Sequence, residues 1–403
     1  MIVPQGSPLE GLRVLELCQF AAGPFTGSLL ADLGADVVKV ERPDGGDPLR
    51  QWPPFSEGAD GEAMSHNFVS VNRNKRSLRL DLKDPADREQ LKDLAAAADI
   101  FVENFRPGVL TGMGLGYDDL KPRNEKLIYC SISGYGQTGP YARKGAFDAT
   151  VQGISGLMSV TGEVDGDPVK CGVPFGDFCT GLYGAYAVLA AVRRRDRTGL
   201  GGYIDCSMLG SLIGVAALQT SEFFGTGIAP KALGSAHPRN APYQGFKGSD
   251  GYFMLAAGTD DLWRRVCDVV DRQDLADDPR FAKLRDRVVN QVELAEILSV
   301  HFKERTVDEW VSELDARGVP SAPVKNYAEL AEDEHVAHMG LIQDIDLPNG
   351  QTVPTTMFPI SVSDFEFEVY RAPPRLGEHN DEVMAEWLSP RGDARADKAG
   401  SAS

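Results

Sequence analysis

The fold of this protein is decided by residues 11–41, which read GLRVLELCQFAAGPFTGSLLADLGADVVKVE. Residues 11–17 form a short apolar run that is typical of a strand, and residues 36–41 form a second one. Between them we expect a turn of small residues at 19–26 and a helix at 27–33. Two strands joined by a helix are typical of a parallel βαβ unit.

The chain beyond this unit keeps alternating between helices and strands. We expect an amphipathic helix at 84–97 and strands at 100–104, 126–131 and 203–206. This alternation predicts an α/β fold with a Rossmann-like parallel sheet. Ligands of such sheets bind beyond the carboxyl ends of the strands. We therefore expect one crevice lined by the loops that follow the strands, at Gln19, Arg42, Asn104 and Ser133.

A nicotinamide-dependent oxidoreductase is one alternative for a protein with this sheet. The turn after the first strand, residues 18–24, reads CQFAAGP. It lacks the G-x-G-x-x-G spacing that lets a pyrophosphate approach the backbone. The sequence thus predicts a Rossmann-like sheet without the dinucleotide signature.

The second half of the chain predicts a smaller α+β domain. A hairpin is expected near Tyr243, and helices follow it at 260–271, 287–304 and 307–317, the last with a capping box from Thr306. Strands return around Pro348-Asn349-Gly350. We expect a large domain built from both chain ends, at 1–224 and 331–388, a small domain with linkers at 225–330, and a disordered tail at 389–403.

Composition argues against several classes of function. The formal net charge of -18 is the opposite of the basic surface that nucleic acids require. No apolar run approaches the length of a membrane span, and residues 1–8 do not resemble a secretory signal. We therefore expect a cytoplasmic protein with neither nucleic acid nor membrane as a partner.

No metal site is predicted. The six cysteines show no metal-ligand spacing, and several lie in apolar runs, as reduced cysteines of cytosolic proteins do. His335 and His338 are spaced i, i+3 on a predicted helix, but no pattern of carboxylates or cysteines accompanies them. We interpret them as surface histidines.

One candidate site residue is Asp177, in the stretch VPFGDFCTG at 173–181. The stretch predicts a loop that delivers Asp177 to the start of a buried helix over 182–192. An aspartate there can cap the helix, which is the ordinary structural role. The positive end of the helix dipole would also keep the carboxylate ionised, as a carboxylate nucleophile requires.

Seven short stretches, considered together with their order and spacing, form a specific pattern from near the N-terminus to about residue 380. They are 9–16, 22–24, 33–41, 74–77, 102–108, Gly176-Asp177 and 376–379. Together they resemble the class III CoA-transferase family, the relatives of formyl-CoA transferase and carnitine CoA-transferase. The resemblance implies an acyl-CoA:carboxylate CoA-transferase in which Asp177 is the nucleophile. CoA would move from the donor thioester to the acceptor acid through an aspartyl anhydride and an aspartyl-CoA thioester.

The resemblance also implies the partners. Coenzyme A thioesters and small carboxylic acids would be the substrates, no cofactor would be bound permanently, and two chains would interlock as a homodimer. By position in the family motifs, CoA contacts are expected at Ala21, Ala22, Arg42, Leu80, Lys83, Asn104, Phe105, Arg106 and Lys144. Some relatives have a basic residue where this chain has Thr111-Gly112, so either Arg106 replaces that contact or the phosphates are held less firmly.

A related reaction on the same fold is α-methylacyl-CoA racemisation, which requires an acid/base pair at the α-carbon. Its motif places a histidine before an aspartate, whereas this chain has Phe147 before Asp148, and phenylalanine cannot transfer a proton. Asp148 is then a candidate for lining the site or starting a helix. The glycine run of formyl-CoA transferase is absent, and residues 234–240 replace it. His237 and Arg239 are candidates there for binding the acceptor carboxylate, with a plain linker as the alternative.

Overall fold

A computed structural model describes residues 4–59 and 61–389 of the chain. In chain order the strands are β1 Arg13–Leu17, β2 Asp36–Glu41, β3 Phe55–Glu57, β4 Ala63–Ser65, β5 Lys75–Arg79, β6 Ile100–Glu103, β7 Ile128–Ser133, β8 Gly202–Ser207, β9 Tyr243–Lys247, β10 Tyr252–Ala256, β11 Ser321–Pro323, β12 Ile342–Asp346 and β13 Thr352–Thr356. The helices are α1 Ala22–Asp32, α2 His66–Ser70, α3 Pro85–Ala97, α4 Val109–Gly112, α5 Tyr117–Leu120, α6 Asp148–Ile154, α7 Phe175–Thr198, α8 Met208–Val215, α9 Ala217–Thr226, α10 Asp260–Val269, α11 Gln273–Asp277, α12 Leu284–Val289, α13 Gln291–Phe302, α14 Val307–Ala316, α15 Tyr327–Ala331, α16 Glu334–His338 and α17 Asn380–Trp387.

The chain divides into two compact units. The larger unit contains the residues up to 157, residues 170–226 and the residues from 338 onward, and the second contains 158–169 and 227–337. Residues 158–169 had been expected in the large domain. They belong instead to the second unit, where the Gly234 N–H donates a hydrogen bond of 2.8 Å to the Gly162 carbonyl. The expected disordered tail lies outside the described residues, apart from Ser389.

The larger unit contains a six-stranded sheet in the order β5-β2-β1-β6-β7-β8. All of its neighbouring strands are parallel, which confirms the predicted α/β class. On one side of the sheet the chain proceeds from β1 through β2 to β5, and on the other side it proceeds from β6 through β7 to β8. The loops after β1 and β6 therefore flank the point where the order reverses, the usual ligand position in such sheets.

Helices cover both faces of this sheet because its strands are apolar on both sides. Val14 and Val102 face the layer that contains α1 and α7, whereas Leu15 and Phe101 face the layer that contains α3 and α17. Helix α1 begins at Ala22, five residues earlier than predicted, so most of the expected turn at 19–26 is helical. The loop after β1 is correspondingly short.

The C-terminal part of the described chain covers the edge strand β5. The Arg76 guanidinium contacts the carboxylates of Glu382 at 3.1 Å and Glu386 at 2.8 Å, and it is also paired with Asp36. The His379 N–H donates to the Ser77 carbonyl at 3.0 Å. Residues from both ends of the sequence thus build one unit.

Helix α7 differs from its prediction in two ways. It begins at Phe175, so Asp177 lies within its first turn rather than in a preceding loop. It is also not buried all round, since Leu182 is 54% and Tyr186 71% exposed. Among the described helices, α7 alone is long and apolar enough to cross a membrane by length and composition, contrary to the expectation that no run approaches a span. A core helix of a soluble protein passes the same test.

The second unit contains the three-stranded sheet β11-β10-β9 and its own apolar core. The predicted hairpin is present as the antiparallel pair β9 and β10. Helix α14 has the predicted capping box, in which Thr306 Oγ1 accepts the Glu309 N–H at 3.3 Å and Glu309 Oε2 accepts the Thr306 N–H at 2.9 Å. In the larger unit, the predicted hairpin around Asn349-Gly350 is formed by β12 and β13.

Candidate active site

A cavity of about 600 Å³ lies beyond the carboxyl ends of β1, β6 and β7. Gln19 and Asn104 line it from the loops after β1 and β6, and Ser133 lines it from the end of β7. Asp177 lines the same cavity from the first turn of α7. The sheet therefore brings together three of the four loops that were expected to converge.

Asp177 is half-buried, and its carboxylate accepts no hydrogen bond from the part of the chain that the structure describes. Burial raises its pKa to about 7, and the nearby charge of Asp148 adds to the rise. The expectation that the helix field keeps this carboxylate ionised needs correction, because desolvation opposes the charged form. Near neutral pH a substantial fraction of Asp177 is protonated.

Asp148 begins α6 and also holds the first turn of α7. Its Oδ1 accepts the N–H of Gly176 at 2.8 Å and that of Asp177 at 3.4 Å. Its Oδ2 accepts a hydrogen bond of 2.6 Å from Nε2 of Gln152, one turn further along α6. Asp148 thus satisfies amide groups that the start of a helix leaves without intrahelical partners.

Gln152 extends this network to a third segment. Its side chain is fully buried, and its Oε1 accepts the N–H of Cys171 at 2.8 Å. The preceding residue, Lys170, lines the cavity together with Asp177 and Asp148. The pair Asp148–Gln152 therefore fixes both the turn of Asp177 and the backbone next to Lys170.

The loop at 18–20 is held at each of its residues by side chains. Lys39 Nζ donates to the Cys18 carbonyl at 2.8 Å, and Asp47 Oδ1 accepts the Phe20 N–H at 3.2 Å. The Asn104 amide accepts the Gln19 N–H at 2.9 Å and donates to the Gln19 carbonyl at 2.7 Å. These contacts support Phe20 in a left-handed conformation with φ of 62°.

The anchors of this loop are buried charges. Lys39 Nζ lies 3.0 Å from Glu16 Oε1 and 2.9 Å from Asp47 Oδ2. Lys75 Nζ lies 2.8 Å from the second oxygen of Glu16. Buried ions require such pairing, because an isolated charge in the interior is strongly disfavoured. The cluster gives the loop a rigid base.

A second cavity of about 190 Å³ adjoins the first. It lies beyond the ends of β2 and β5, and its lining includes Arg42, Leu80 and Lys83. Gln19 and Phe105 line both cavities, so the two form neighbouring chambers of one crevice. The cationic residues of the smaller chamber are Arg42 and Lys83.

The structure places the predicted site residues in three groups. The larger cavity is lined by Ala21, Ala22, Asn104, Phe105, Arg106, Asp148 and Asp177, and the smaller one by Arg42, Leu80, Lys83 and Phe105. Lys144 lines neither of them and lies over the Tyr141 ring, with Nζ 3.7 Å from its centroid. His237 and Arg239 belong to the second unit, where His237 Nδ1 accepts the Arg239 N–H at 3.1 Å.

Two further predictions concern exposed residues. Phe147 lines the larger cavity with 67% of its surface exposed, and its ring meets that of Phe20 edge-on at 6.1 Å. No proton donor or acceptor occupies that position. His335 and His338 are exposed on α16, as predicted.

Sequence reasoning did not single out several residues of the site. Gln19 was noted only as part of a loop, although it lines both chambers, and Gln152 and Lys170 were not considered. A polar side chain within a glycine- and alanine-rich turn is the one available signal for Gln19. Gln152 and Lys170 have no comparable signal, since their importance depends on contacts across long stretches of chain.

The fold and the site define an α/β protein whose crevice joins a half-buried carboxylate to a chamber lined in part by Arg42 and Lys83. The sequence model of CoA-transferase family III matches residues 9–380. The succinate–glutarate CoA-transferase of Agrobacterium fabrum is 41% identical over 381 residues, covering 94% of this chain and 95% of the relative. The succinyl-CoA:mesaconate CoA-transferase of Haloarcula hispanica is 38% identical over 391 residues, covering 94% and 96%.

A solved structure supports the same relationship. The crystal structure of a CAIB/BAIF family protein from Brucella suis matches with a TM-score of 0.86 and 41% identity, covering 95% of this chain and 100% of that one. The chain belongs to CoA-transferase family III. Its activity is that of an acyl-CoA:carboxylate CoA-transferase.

Proposed function

We propose that this transferase exchanges CoA between short dicarboxylic acids and that Asp177 is its nucleophile. The main support is the position of Asp177, whose carboxylate lines the 600 Å³ cavity and has no hydrogen-bond partner among the described residues. A carboxylate without competing partners is free to attack. Related enzymes named for succinate, glutarate and mesaconate act on dicarboxylic acids, which supports the substrate class.

The proposed reaction balances as four exchanges at acyl carbons. An Asp177 oxygen attacks the thioester carbon of the donor, the C–S bond breaks, and CoA thiolate leaves behind an aspartyl anhydride. The thiolate attacks the Asp177 carboxyl carbon, which releases the donor acid and forms an aspartyl-CoA thioester. The acceptor carboxylate then displaces the thiolate from that carbon, and the thiolate attacks the acceptor acyl carbon and frees Asp177. The cycle consumes no electrons and no net protons, so it requires no resident cofactor.

The two chambers suggest how CoA would bind. Arg42 and Lys83 in the smaller chamber suit the phosphates of the nucleotide end. The chain from pantetheine to the thioester would then pass Gln19 and Phe105 to reach Asp177. The Gln19 side chain forms no hydrogen bond within the described residues, so its amide is available to the substrate. Since Lys144 lines neither chamber, we leave it out of this assignment.

The protein is proposed to act as a homodimer in the cytoplasm. Large apolar side chains are exposed on α7 and α9, including Tyr186 at 71% and Phe224 at 79%. Such exposure is more typical of an interface than of free surface, and a second copy is the partner that the family resemblance implies. All six cysteines are free thiols, and five are buried, as in reducing compartments. Sedimentation equilibrium tests the dimer directly.

The nucleophile is tested by intact-protein mass spectrometry after mixing the enzyme with succinyl-CoA, followed by peptide mapping. We expect an adduct of CoA mass on the peptide that contains Asp177. Asp177→Asn is nearly isosteric but cannot form the anhydride, so it should lose both the adduct and more than about 1,000-fold in turnover.

The same variant distinguishes chemistry from binding. Asp177→Asn should still bind CoA with near wild-type affinity, which isothermal titration calorimetry measures. Retained turnover in this variant, or an adduct on a different residue, would refute the assignment. Exchange of the α-proton of a 2-methylacyl-CoA without adduct formation would instead favour racemase chemistry.

A further inference from the structure

We propose that Lys170 binds the second carboxylate of the dicarboxylic acid and so determines the specificity of the site. The proposal rests on the proposed function of Asp177, because it assumes that the first carboxylate reacts there. It assigns to Lys170 a role in positioning substrate that no family motif suggests.

Lys170 is one of two cationic side chains that line the larger cavity, and the other is Arg106. Arg106 also lines a separate cleft of about 40 Å³ together with Glu103 and Gln137. Its guanidinium lies close to Gly145, where an added Cβ would be 3.3 Å from the nearest nitrogen. Arg106 therefore lines both the larger cavity and the cleft. Lys170 lines the larger cavity but neither the cleft nor the smaller chamber.

The charge of Lys170 is not neutralised within the described part of the chain. Its ammonium group donates one hydrogen bond, to the Cys171 carbonyl at 3.2 Å, and it forms no ion pair there. Lys170 is an exposed residue, so its ammonium group is open to solvent as well as to the cavity that it lines. An unpaired cation beside a cavity is suited to an anionic ligand. A net charge of -18 makes such a local cation more important, since the surface as a whole repels anions.

The backbone next to Lys170 is connected to the first turn of α7 by part-buried hydrogen bonds. The N–H of the next residue, Cys171, is held by Gln152, Gln152 is held by Asp148, and Asp148 holds the N–H of Gly176. The three distances are 2.8, 2.6 and 2.8 Å, and the Gln152 side chain is fully buried. A cation and a nucleophile whose backbones are joined by one hydrogen-bonded network suit an acid with two carboxylates.

The aromatic rings of the cavity suit the part of the acid between its carboxylates. Phe20, Trp52 and Phe147 all line the cavity, with Phe20 5.7 Å from Trp52 and 6.1 Å from Phe147 between ring centroids. Methylene groups pack well on such rings, whereas a carboxylate does not. The expected ligand therefore has anionic ends and an apolar middle.

The test uses the full-length enzyme loaded to completion with CoA from succinyl-CoA and freed of small molecules. Single-turnover discharge of this form is measured with glutarate and with pentanoate, which have the same chain length but two and one carboxylates. For Lys170→Met we expect the second-order rate constant of discharge by glutarate to fall about 10- to 100-fold and that by pentanoate to change less than about twofold. Lys170→Arg should recover part of the loss with glutarate, because it restores the charge.

Lys83→Met is the matched control, since Lys83 is a lysine of the smaller chamber. It should slow loading by every acyl-CoA and leave the glutarate-to-pentanoate ratio of discharge unchanged. An unchanged ratio in Lys170→Met, with normal loading, would overturn the role of Lys170 while leaving Asp177 as the nucleophile. A wild-type enzyme that never loads would instead refute the proposed function. A changed ratio in Lys83→Met would indicate a general effect of charge and would also overturn the specific role.

Discussion

Asp148 combines two effects on the proposed nucleophile. As a hydrogen-bond acceptor it holds the N–H of Gly176 and orients the first turn of α7. As a charge it raises the pKa of Asp177 further above the increase that burial causes. An asparagine removes the charge and can still accept the Gly176 N–H through Oδ1, but its Nδ2 cannot accept the hydrogen bond from Gln152 Nε2.

Asp148→Asn is therefore expected to lower the pKa of Asp177 from about 7. The nucleophile must be ionised, so wild-type activity should fall as the pH decreases through about 7, and the variant should retain activity to lower pH. The measurement is kcat/KM against pH for both proteins. A variant that loses activity equally at all pH values, with an unmoved acid limb, would show that Asp148 acts only as a cap.

The residues of this site differ in how far the sequence could predict them. Asp177 and Asp148 were singled out by the resemblance to the CoA-transferase family, since an aspartate before a helix is by itself an ordinary cap. Gln152 and Lys170 could not be found, because Gln152 meets the Cys171 N–H across 19 residues of chain. A contact of that kind is created by the fold and leaves no periodic pattern.

At the scale of elements, α7 packs closely against α1, and the first turns of both helices line the site. Thr26 Oγ1 in α1 donates to the Gly181 carbonyl of α7 at 3.2 Å. A Cβ added at Gly181 would lie 2.7 Å from Phe25 Cδ1 and 3.0 Å from the Ala22 carbonyl oxygen. The absence of a side chain at this position allows the two helices to pack closely.

Gly181→Val should force the helices apart and destabilise the protein by about 3 kcal/mol, as overpacking of a core commonly does. Gly225→Ala is the control, because a Cβ at Gly225 in α9 would meet no atom within 4 Å. It should change the free energy of unfolding by less than about 1 kcal/mol. Urea denaturation of both variants gives the comparison, and equal stabilities would contradict this account of the packing.

The positions of the strands were predicted better than the starts of the helices. Strand β2 was predicted at 36–41 and found there, since its apolar run is continuous and bounded. Helices α1 and α7 both begin earlier than predicted, within stretches of small residues that were interpreted as turns. In α7 the amides of the first turn are capped by Asp148, 28 residues away from Gly176, and local sequence cannot reveal such a cap.

At the scale of the whole molecule, two carboxyl groups, Asp177 and Glu103, lower the stability of the folded protein when they are ionised. Burial raises the pKa of Asp177 from 3.8 to about 7 and that of Glu103 from 4.5 to about 7. A carboxyl with a higher pKa in the folded than in the unfolded state binds more protons when folded. Its contribution to stability is complete below the unfolded pKa and is lost as the pH rises through about 7.

Asp177→Asn should consequently be more stable than the wild type above pH 7, by about 2 kcal/mol once the partial exposure of the site is considered. The advantage should disappear below about pH 4, where the wild-type carboxyl is neutral in both states. Thermal unfolding of the two proteins at pH 4 and pH 8 measures it. A wild type that is the more stable protein at pH 8 would show that ionised Asp177 is stabilised rather than strained.

The closure of the sheet edge by α17 has a consequence for how the protein is made. Arg76 and its partner Glu382 are 306 residues apart, so one leaves the ribosome long before the other. At about 5–20 residues per second, the interval is roughly 15 to 60 seconds. During that time the outer edge of the nascent strand β5 lacks its later cover, and Arg76 has Asp36 but not yet Glu382 and Glu386 as carboxylate partners.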